Sequence, residues 1–294
     1  MKKWALPAKT FLLGEYAALA DKGAIVLTTH PCFEVTLTET KGLHNIHPES
    51  PAGRWWIKTG YDHYGLHWHD PFNHCGGMGA SSAQFLGAYF ASSHLNATTP
   101  TQAGMLDAYW QCAWQGQGIR PSGYDVIAQS LSGCVSINRS EDDYNVLPWS
   151  FSDLAFIIAH TGNKLATHHH LQGATLSDDV EQLNTIVTQA KQAFMMSDSQ
   201  ALVSAINAYH HALVLTNRVD QNTLTLLEQL KGLPGLLAMK GCGAMGADVI
   251  VFITTKESVT RIQSHLMTMQ LRIMATNKSI FISDGYRSRE THEP

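Results

Sequence analysis

The sequence predicts an α+β protein with two lobes, and three observations support this prediction. The chain has 294 residues, a length typical of two lobes or of one large domain. Apolar residues make up 44% of it and charged residues only 15%, so most of the chain is expected to fold. Its predicted strands and helices do not alternate strictly, which favours α+β layers. A polar stretch at 141–150 separates a first lobe, residues 1–150, from a second lobe, residues 151–294.

The first lobe is predicted to begin with strands and to continue with helices. Its strands are short runs that are either apolar throughout or alternate between apolar and polar residues. Its second helix carries pairs of apolar residues every four positions, which makes one apolar face. The predicted order is strand 24–29, strand 33–38, a loop-rich region 40–75, helix 81–94, helix 101–115, helix 125–129 and strand 134–137.

The second lobe is predicted to be mainly helical at first and to end in strands. A strand opens it, and a helical region follows in which Ser197 and Gln200 have the spacing of a capping box. A glycine-rich turn then leads into an apolar strand, an amphipathic helix and a last strand. The predicted order is strand 154–159, helices 177–231, strand 249–253, helix 256–269, strand 271–282 and a mobile tail at 287–294.

Composition argues against several classes of protein. Twenty basic and 24 acidic side chains leave a formal net charge of −4, which offers nucleic acid no general attraction. Lys9 and Glu15 interrupt the apolar stretch near the N-terminus, and no stretch is long enough to span a membrane. The five cysteines form no C-x-x-C pair, which favours reduced thiols and a cytoplasmic protein. The histidines lack the spacing of a closed zinc site.

A segment rich in glycine and hydroxyl residues opens the helix at 81–94. Glycine lets backbone N–H groups approach a ligand closely, and the positive end of the helix dipole favours an anion such as phosphate. The segment lacks both the Walker A lysine and the preceding strand of a dinucleotide-binding fingerprint. A flexible loop before a serine-capped helix is therefore an equal alternative. Its residues are Gly76, Gly77, Gly79, Ala80, Ser81 and Ser82.

Two other segments carry charged residues near glycine. Close to the N-terminus, Lys9 and Glu15 flank an apolar stretch, and such a lysine is usually a solvated surface residue. A second glycine-rich turn runs from Lys240 to Asp248, directly before a strong strand. Taken alone, each segment is consistent with a purely structural role.

Together, the three segments resemble the motifs of the GHMP small-molecule kinases, named for galactokinase, homoserine kinase, mevalonate kinase and phosphomevalonate kinase. Residues 7–16 are similar to P-x-K-x-x-L-x-G-E-H, with Tyr16 where histidine is common. Residues 77–82 resemble G-L-G-S-S-A. Residues 240–248 resemble the third motif, with Met245 and Ala247 replacing two glycines.

Two further segments resemble mevalonate-type kinases in particular. Residues 121–125 read Pro-Ser-Gly-Tyr-Asp, similar to P-S-G-x-D, and residues 160–167 resemble a T-G-x-K-x-x-T stretch. Asp248 is a feature associated more with phosphomevalonate kinases. The resemblance implies a first lobe like the second domain of ribosomal protein S5, a ferredoxin-like second lobe, and a site in the cleft between them.

The resemblance also implies the reaction, which is Mg²⁺-dependent transfer of the γ-phosphoryl group of ATP to phosphomevalonate or mevalonate, precursors of isoprenoids. The segment at 76–82 would bind the phosphates of ATP, and Ser81 would ligate Mg²⁺. Asp125 would accept or orient the proton of the acceptor hydroxyl, although it also suits a helix N-cap, and Lys9 would neutralise the transferred group. The substrate-binding residues implied in this way are Glu15, Tyr16, Ser122, Gly123, Lys164, Thr167, Gly243 and Ala244.

One departure from the family pattern leaves alternatives open. Many members carry a Mg²⁺-binding glutamate shortly before P-S-G-x-D, whereas the only acid between Thr99 and Pro121 is Asp107. Gln115 and Gln117 lie near the expected position, and an amide is a weaker ligand than a carboxylate. The alternatives are a sugar or sugar-phosphate kinase and a non-catalytic nucleotide- or metabolite-binding relative.

The resemblance leaves the oligomeric state as a monomer or homodimer. The candidates for attracting an anionic acceptor are Lys164, the histidines at 168–170 and Arg120.

Overall fold

The computed structural model describes residues 1–61, 63–162 and 179–282. In this part of the chain, ten strands and eight α-helices form two sheets covered by helices, which confirms the α+β fold class. None of the described helices is long and apolar enough to cross a membrane. The strands are β1 (Lys2–Leu13), β2 (Ala24–Thr38), β3 (Gly42–His44), β4 (Gly65–His69), β5 (Cys134–Asn138), β6 (Asp143–Leu147), β7 (Leu154–His160), β8 (Leu236–Cys242), β9 (Val249–Thr255) and β10 (Arg272–Thr276). The helices are α1 (Pro51–Thr59), α2 (Ala80–Leu95), α3 (Gln102–Ala113), α4 (Tyr124–Leu131), α5 (Val180–Met196), α6 (Ser199–Leu215), α7 (Gln221–Leu230) and α8 (Val259–Thr268).

The first lobe is built around a six-stranded sheet in which β2 is the central strand. β1 pairs antiparallel with β2 along nearly the whole of both strands. On the other side of β2, its first part pairs with β5 and its last part with β4. β6 extends the sheet beyond β5, and β3 extends it beyond β4. The two strands predicted at 24–29 and 33–38 are therefore one strand of 15 residues.

The second lobe has a four-stranded antiparallel sheet in the order β10-β7-β9-β8. Along the chain its elements run strand, helices, two strands, helix and strand. This succession with that strand order is the ferredoxin-like arrangement, so the expectation for the second lobe is confirmed. The two sheets are joined by the residues between β6 and β7, which include the predicted boundary near residue 150.

Helix α2 is the central helix of the first lobe. Ten of its 16 residues are buried, so it is covered on most sides and shows little amphipathic pattern. Gly87 lets it lie directly on the sheet, because a Cβ atom there would come within 2.2 Å of Cγ2 of Val35 on β2. This packing holds the N-terminal end of α2, where the glycine-rich segment lies, in a fixed position against the sheet.

Three local predictions differ from the structure. Helix α1 lies in the region predicted to be loops, and it begins with Ser50 as N-cap and Pro51 as its first residue, both ordinary helix start signals. Strands β1 and β8, which carry parts of the first and third motifs, were not predicted, and neither were the short strands β3 and β4 in the region expected to be loops and β6 in the polar stretch. The capping box at Ser197 is wrong, because the N-cap of α6 is Asp198, whose carboxylate accepts from the N–H of Ala201. Ser197 is the left-handed C-cap of α5.

The end of the described chain returns to the first lobe. After β10, Ile280 forms an antiparallel bridge with Thr29, and the N–H of Phe281 donates to the Thr28 carbonyl over 2.9 Å. This contact covers the first two residues of the gap on β2 between its pairing with β5 and its pairing with β4. The tail predicted at 287–294 lies outside the described residues.

Candidate active site

Lys9 and Asp125, the predicted catalytic pair, are in direct contact. Nζ of Lys9 lies 3.0 Å from Oδ2 of Asp125. The lysine side chain is 12% exposed and the aspartate side chain 33%, so the carboxylate is the more accessible member of the pair. A cation held beside an accessible carboxylate can neutralise a phosphoryl group while the carboxylate faces an acceptor hydroxyl.

Two elements of the fold position this pair. Lys9 belongs to β1, whose register with β2 places it opposite Thr28. Asp125 lies in the first turn of α4, which begins after Gly123 in a left-handed conformation with φ 75°. The positive end of the helix dipole stabilises a carboxylate in that turn. Burial, and then the Asp125 carboxylate, raises the pKa of Tyr109, so the hydroxyl of this neighbour stays protonated.

The glycine-rich segment lies directly against Lys9. The N–H of Lys9 donates to the Met78 carbonyl over 2.9 Å. Gly79 is the N-cap of α2, and a Cβ atom on it would lie 2.6 Å from Cγ of Lys9. Ser82 is buried and donates to the Gly79 carbonyl over 3.0 Å, while Ser81 is exposed in the first turn of α2. A phosphate at this helix end would therefore meet backbone N–H groups with Lys9 close by.

Gln129 joins these segments and was missed by the sequence analysis. It is buried and lies one turn after Asp125 on α4. Its Nε2 donates to the Pro7 carbonyl over 2.7 Å and to the Gly79 carbonyl over 3.2 Å. One side chain on α4 thus holds both the first and the second motif. The four-residue spacing after Asp125, which puts both residues on one helix face, is the signal that could have found it.

The third glycine-rich segment packs against the second. A Cβ atom on Gly77 would lie 2.8 Å from Cβ of the buried Asp248. A Cβ atom on Gly243 would lie 2.5 Å from Oδ2 of the same aspartate. Because Gly77 and Gly243 have no side chains, there is room for the Asp248 side chain between the second and third glycine-rich segments. Ala244 follows Gly243 in the same turn.

Glu15 and Tyr16, which were predicted to bind substrate, both contact the second lobe. The Glu15 carboxylate forms an ion pair with Nζ of Lys240. The guanidinium of Arg218 lies 4.6 Å from the centre of the Tyr16 ring. Burial, and then the Glu15 carboxylate, raises the pKa of Tyr16 to about 12, so its phenol is neutral. A role of either residue in binding substrate stays a prediction.

Ser122 and Gly123 shape the turn that presents Asp125. Oγ of Ser122 accepts from the N–H of Tyr124 over 3.3 Å. A Cβ atom on Gly123 would lie 2.6 Å from Cδ2 of Leu106, so this turn requires glycine for space as well as for its positive φ. The sequence Pro-Ser-Gly-Tyr-Asp thus builds the start of α4 and places its carboxylate at the helix N-terminus.

Of the residues predicted to attract an anionic acceptor, only Arg120 is described. Its guanidinium lies 4.1 Å from the centre of the Trp110 ring and 3.6 Å from a carboxylate oxygen of Asp21. The positive charge of Arg120 is therefore partly neutralised by the Asp21 carboxylate. Lys164, Thr167 and the histidines at 168–170 lie outside the described residues.

The described residues offer Mg²⁺ few ligands. Among them, no three histidine, cysteine, aspartate or glutamate side chains are grouped to hold a metal ion. Asp107 is exposed on α3, and the exposed Ser81 hydroxyl stands at the N-terminal end of α2. Mg²⁺ is commonly held by one or two protein ligands together with substrate phosphates and waters. Such a sparse donor set is compatible with a cation held mainly by the phosphates of a bound nucleotide, and a role of Ser81 as its protein ligand stays a prediction.

Solved structures of small-molecule kinases share this architecture over almost the whole chain. Mevalonate kinase from Methanococcus jannaschii matches with a TM-score of 0.68 and 13% identity, covering 95% of this chain and 98% of that chain. Phosphomevalonate kinase from Streptococcus pneumoniae, in complex with phosphomevalonate and AMPPNP, matches with a TM-score of 0.75 and 13% identity, covering 94% and 99%. Galactokinase from Lactococcus lactis, complexed with galactose, matches with a TM-score of 0.74 and 12% identity, covering 97% and 94%.

Comparisons at the level of sequence add nothing to this likeness. No family model and no curated protein sequence matches the chain. With identities this low, the shared shape is evidence of a common fold. The chain has the two-lobed fold of the GHMP kinases, the family whose motifs its sequence resembles.

Proposed function

We propose that this protein is an ATP-dependent kinase of the GHMP type that phosphorylates a small molecule. The observation that carries the proposal is the contact between Lys9 and Asp125 beside the N-terminal end of α2. Phosphoryl transfer needs alignment and neutralisation of charge more than covalent chemistry, and this arrangement supplies both. With an acceptor that reacts through a hydroxyl, such as mevalonate, Asp125 would accept or orient the hydroxyl proton. With phosphomevalonate the attacking oxygen would belong to an already ionised phosphate, so no proton need be removed. With either acceptor, Lys9 would neutralise charge on the transferred group. Mg²⁺ held by the nucleotide phosphates and Ser81 would add positive charge at the phosphates.

The acceptor that we propose is phosphomevalonate or mevalonate. The choice is supported by residues 121–125, which resemble mevalonate-type kinases, and by Asp248, which resembles phosphomevalonate kinases. Galactokinase shares the fold with a TM-score of 0.74, close to the 0.75 of phosphomevalonate kinase, so the fold does not select the acceptor. We place the reaction in the cytoplasm, in a monomer or homodimer.

Release of ADP in a coupled assay tests the proposal. The purified protein is given ATP and Mg²⁺ with mevalonate, phosphomevalonate, galactose, homoserine or a heptose phosphate. We expect turnover with one acceptor. Where that acceptor reacts through a hydroxyl, Asp125→Asn should lower turnover by roughly 10²- to 10⁴-fold, because the proton acceptor is removed. Asp107→Asn is the matched control, since it makes the same change on the exposed face of α3 and should leave turnover unchanged.

Two outcomes would contradict the proposal. Measurable binding of ATP without turnover on any acceptor would favour a non-catalytic binding protein. Turnover that survives in Asp125→Asn would remove Asp125 from the proposed mechanism.

A further inference from the structure

We propose that Lys240 is a positioning residue which, through Glu15, fixes the strand that carries Lys9. The inference rests on the proposed kinase function, because it concerns the alignment of Lys9 with Asp125. Lys240 belongs to β8 in the second lobe, and Glu15 follows the end of β1 in the first. Their ion pair joins residues 225 positions apart and connects the two lobes.

Lys240 is buried in a pocket in which the Glu15 carboxylate is its acidic partner. Its side chain is fully buried, and that of Glu15 is 11% exposed. Nζ of Lys240 also donates to the Gly241 carbonyl over 3.1 Å and to Sγ of Cys242 over 3.2 Å, and it lies 5.9 Å from the centre of the Tyr209 ring. Burial opposes the charge, but the adjacent Glu15 carboxylate raises the pKa of Lys240 above its ordinary value, so the lysine stays charged.

The energetics of buried ion pairs point to a geometric role. Removing two charges from water costs free energy that their attraction often does no more than offset, so apolar residues of similar volume would serve stability as well. Two charged groups with several hydrogen bonds do, however, restrict the relative position of the elements that carry them. The pair of Lys240 and Glu15 therefore sets where β8 and the end of β1 lie relative to each other.

A second contact holds the same strand from the same side. Sγ of Cys242 donates to the Phe11 carbonyl over 3.2 Å. Phe11 lies two residues after Lys9 on β1, so the two side chains share a face, and the ring centre is 5.1 Å from Nζ of Lys9. The second lobe thus holds β1 at Phe11 and again just beyond its end at Glu15. A displacement there would move Lys9 relative to α4 and Asp125.

The same strand of the second lobe continues into the third glycine-rich segment. β8 ends at Cys242, and the next residue, Gly243, packs against Asp248, which also contacts Gly77. Lys240 therefore joins the first motif to the third, while Asp248 joins the third to the second. All three motifs form one continuous structure, and the ion pair is one of its links between the lobes.

Four variants separate positioning from stability. Lys240→Met leaves the Glu15 carboxylate buried without its cation, and Glu15→Gln leaves the cation without its carboxylate, so both should lower thermal stability. The double variant Lys240→Met with Glu15→Gln contains no unpaired buried charge and should regain much of that stability. Glu15→Asp keeps both charges but shortens the reach by one methylene group, so it changes the geometry of the pair directly.

The measurements are ADP release, binding of ATP and thermal unfolding. We expect kcat to fall by roughly 100-fold in both the double variant and Glu15→Asp, the effect of an ångström-scale misplacement, with the Kd for ATP changed far less. Lys191→Met is the matched control, because it makes the same substitution in another pair between the lobes, that of Lys191 on α5 with Asp143 on β6. It should leave kcat unchanged.

The outcomes that overturn the inference differ from those that overturn the proposed function. Silence of the unsubstituted protein with every acceptor overturns the kinase function, and this inference with it. Turnover by the unsubstituted protein, together with full kcat in Glu15→Asp or in a double variant of regained stability, overturns the inference alone. If the double variant does not fold, Glu15→Asp decides between the two roles.

Discussion

Gly79 and Lys9 are packed so closely that the lysine in its observed position leaves no room for a side chain at residue 79. A Cβ atom on Gly79 would lie 2.6 Å from Cγ and 2.8 Å from Cε of Lys9. The glycine also has φ 81°, in the region that residues with a Cβ rarely adopt. The N-terminal end of α2 and the lysine are therefore one structural unit, and a change in either displaces the other.

Gly79→Ala should lower kcat at least roughly tenfold, because the new methyl group pushes Lys9 away from Asp125. Gly60→Ala is the matched control. Gly60 also has a positive φ, of 71°, but its Cβ would meet no atom within 4 Å, so it shares the backbone penalty of about 1 kcal/mol without the contact. The two variants are compared by ADP release and thermal unfolding. Equal losses of kcat in both would show that the contact with Lys9 does not matter.

Ser81→Ala should raise the Mg²⁺ concentration needed for half-maximal activity, because it removes the hydroxyl that we propose as the protein ligand of the cation. Ser81 is exposed, so thermal stability should not change. Ser82→Ala is the contrasting variant, since it deletes the hydrogen bond to the Gly79 carbonyl and should cost about 1 kcal/mol of stability. Titration of activity with Mg²⁺ measures the first effect in both variants, and thermal unfolding measures the second. An unchanged Mg²⁺ curve for Ser81→Ala would remove this serine from the metal site.

Gln129→Leu should lower the free energy of unfolding by about 1–3 kcal/mol, because it leaves the carbonyls of Pro7 and Gly79 without this donor. Activity should fall as well, since both carbonyls belong to the segments around Lys9. Gln84→Leu is the control, because Gln84 makes a single long hydrogen bond of 3.4 Å to the Asn45 carbonyl. Unfolding in urea measures the difference. A smaller loss in Gln129→Leu than in Gln84→Leu would contradict this interpretation.

His210 should make the protein less stable as the pH falls from about 6.5 to about 4. Burial, and then the charge of Lys240, lowers its pKa to about 4. The unfolded chain therefore takes up a proton at a higher pH than the folded chain, and the free energy of unfolding decreases between the two pKa values. The decrease should be on the order of 2 kcal/mol, allowing for partial exposure of the ring.

His210→Gln should remove most of this dependence on pH, whereas His211→Gln should change it far less, because His211 is the exposed neighbour on the same helix and its charge is the smallest of the causes that lower the pKa of His210. Urea unfolding at about pH 4.5 and about pH 7.5 gives the comparison for the three proteins. Identical pH dependence in all three would exclude His210 as the responsible group.

Elements with a continuous local signal were predictable from the sequence, and elements whose signal is interrupted or short were not. Helix α2 lies close to its predicted range because it is rich in small and apolar residues throughout, α3 because pairs of apolar residues recur every four positions, and β9 because its apolar run is unbroken. Strand β1 escaped prediction because Pro7 and Lys9 break its apolar run. Helix α1 escaped because it is only nine residues long and its buried face consists of Ala52, Gly53 and Trp56, too few apolar residues to stand out within a loop-rich stretch.

The site divides in the same way. Lys9 and Asp125 could be predicted because each belongs to a short motif that is visible in the sequence. The contacts of Gln129 with Pro7 and of Lys240 with Glu15 join residues 122 and 225 positions apart. No local pattern encodes such contacts, because they exist only once distant segments of the chain have packed. The partner of Glu15 could therefore be found only in the folded structure.

The bridge between Ile280 and Thr29 has a consequence for how the chain is made. A ribosome releases β2 early, but the residues that cover the start of the gap in its hydrogen bonding are among the last described ones to emerge. During most of translation, the Thr28 carbonyl on the central strand of the first lobe therefore lacks its hydrogen-bond donor, the N–H of Phe281. A message cut short before residue 280 would yield a first lobe that contains every one of its own strands and is nevertheless unfinished.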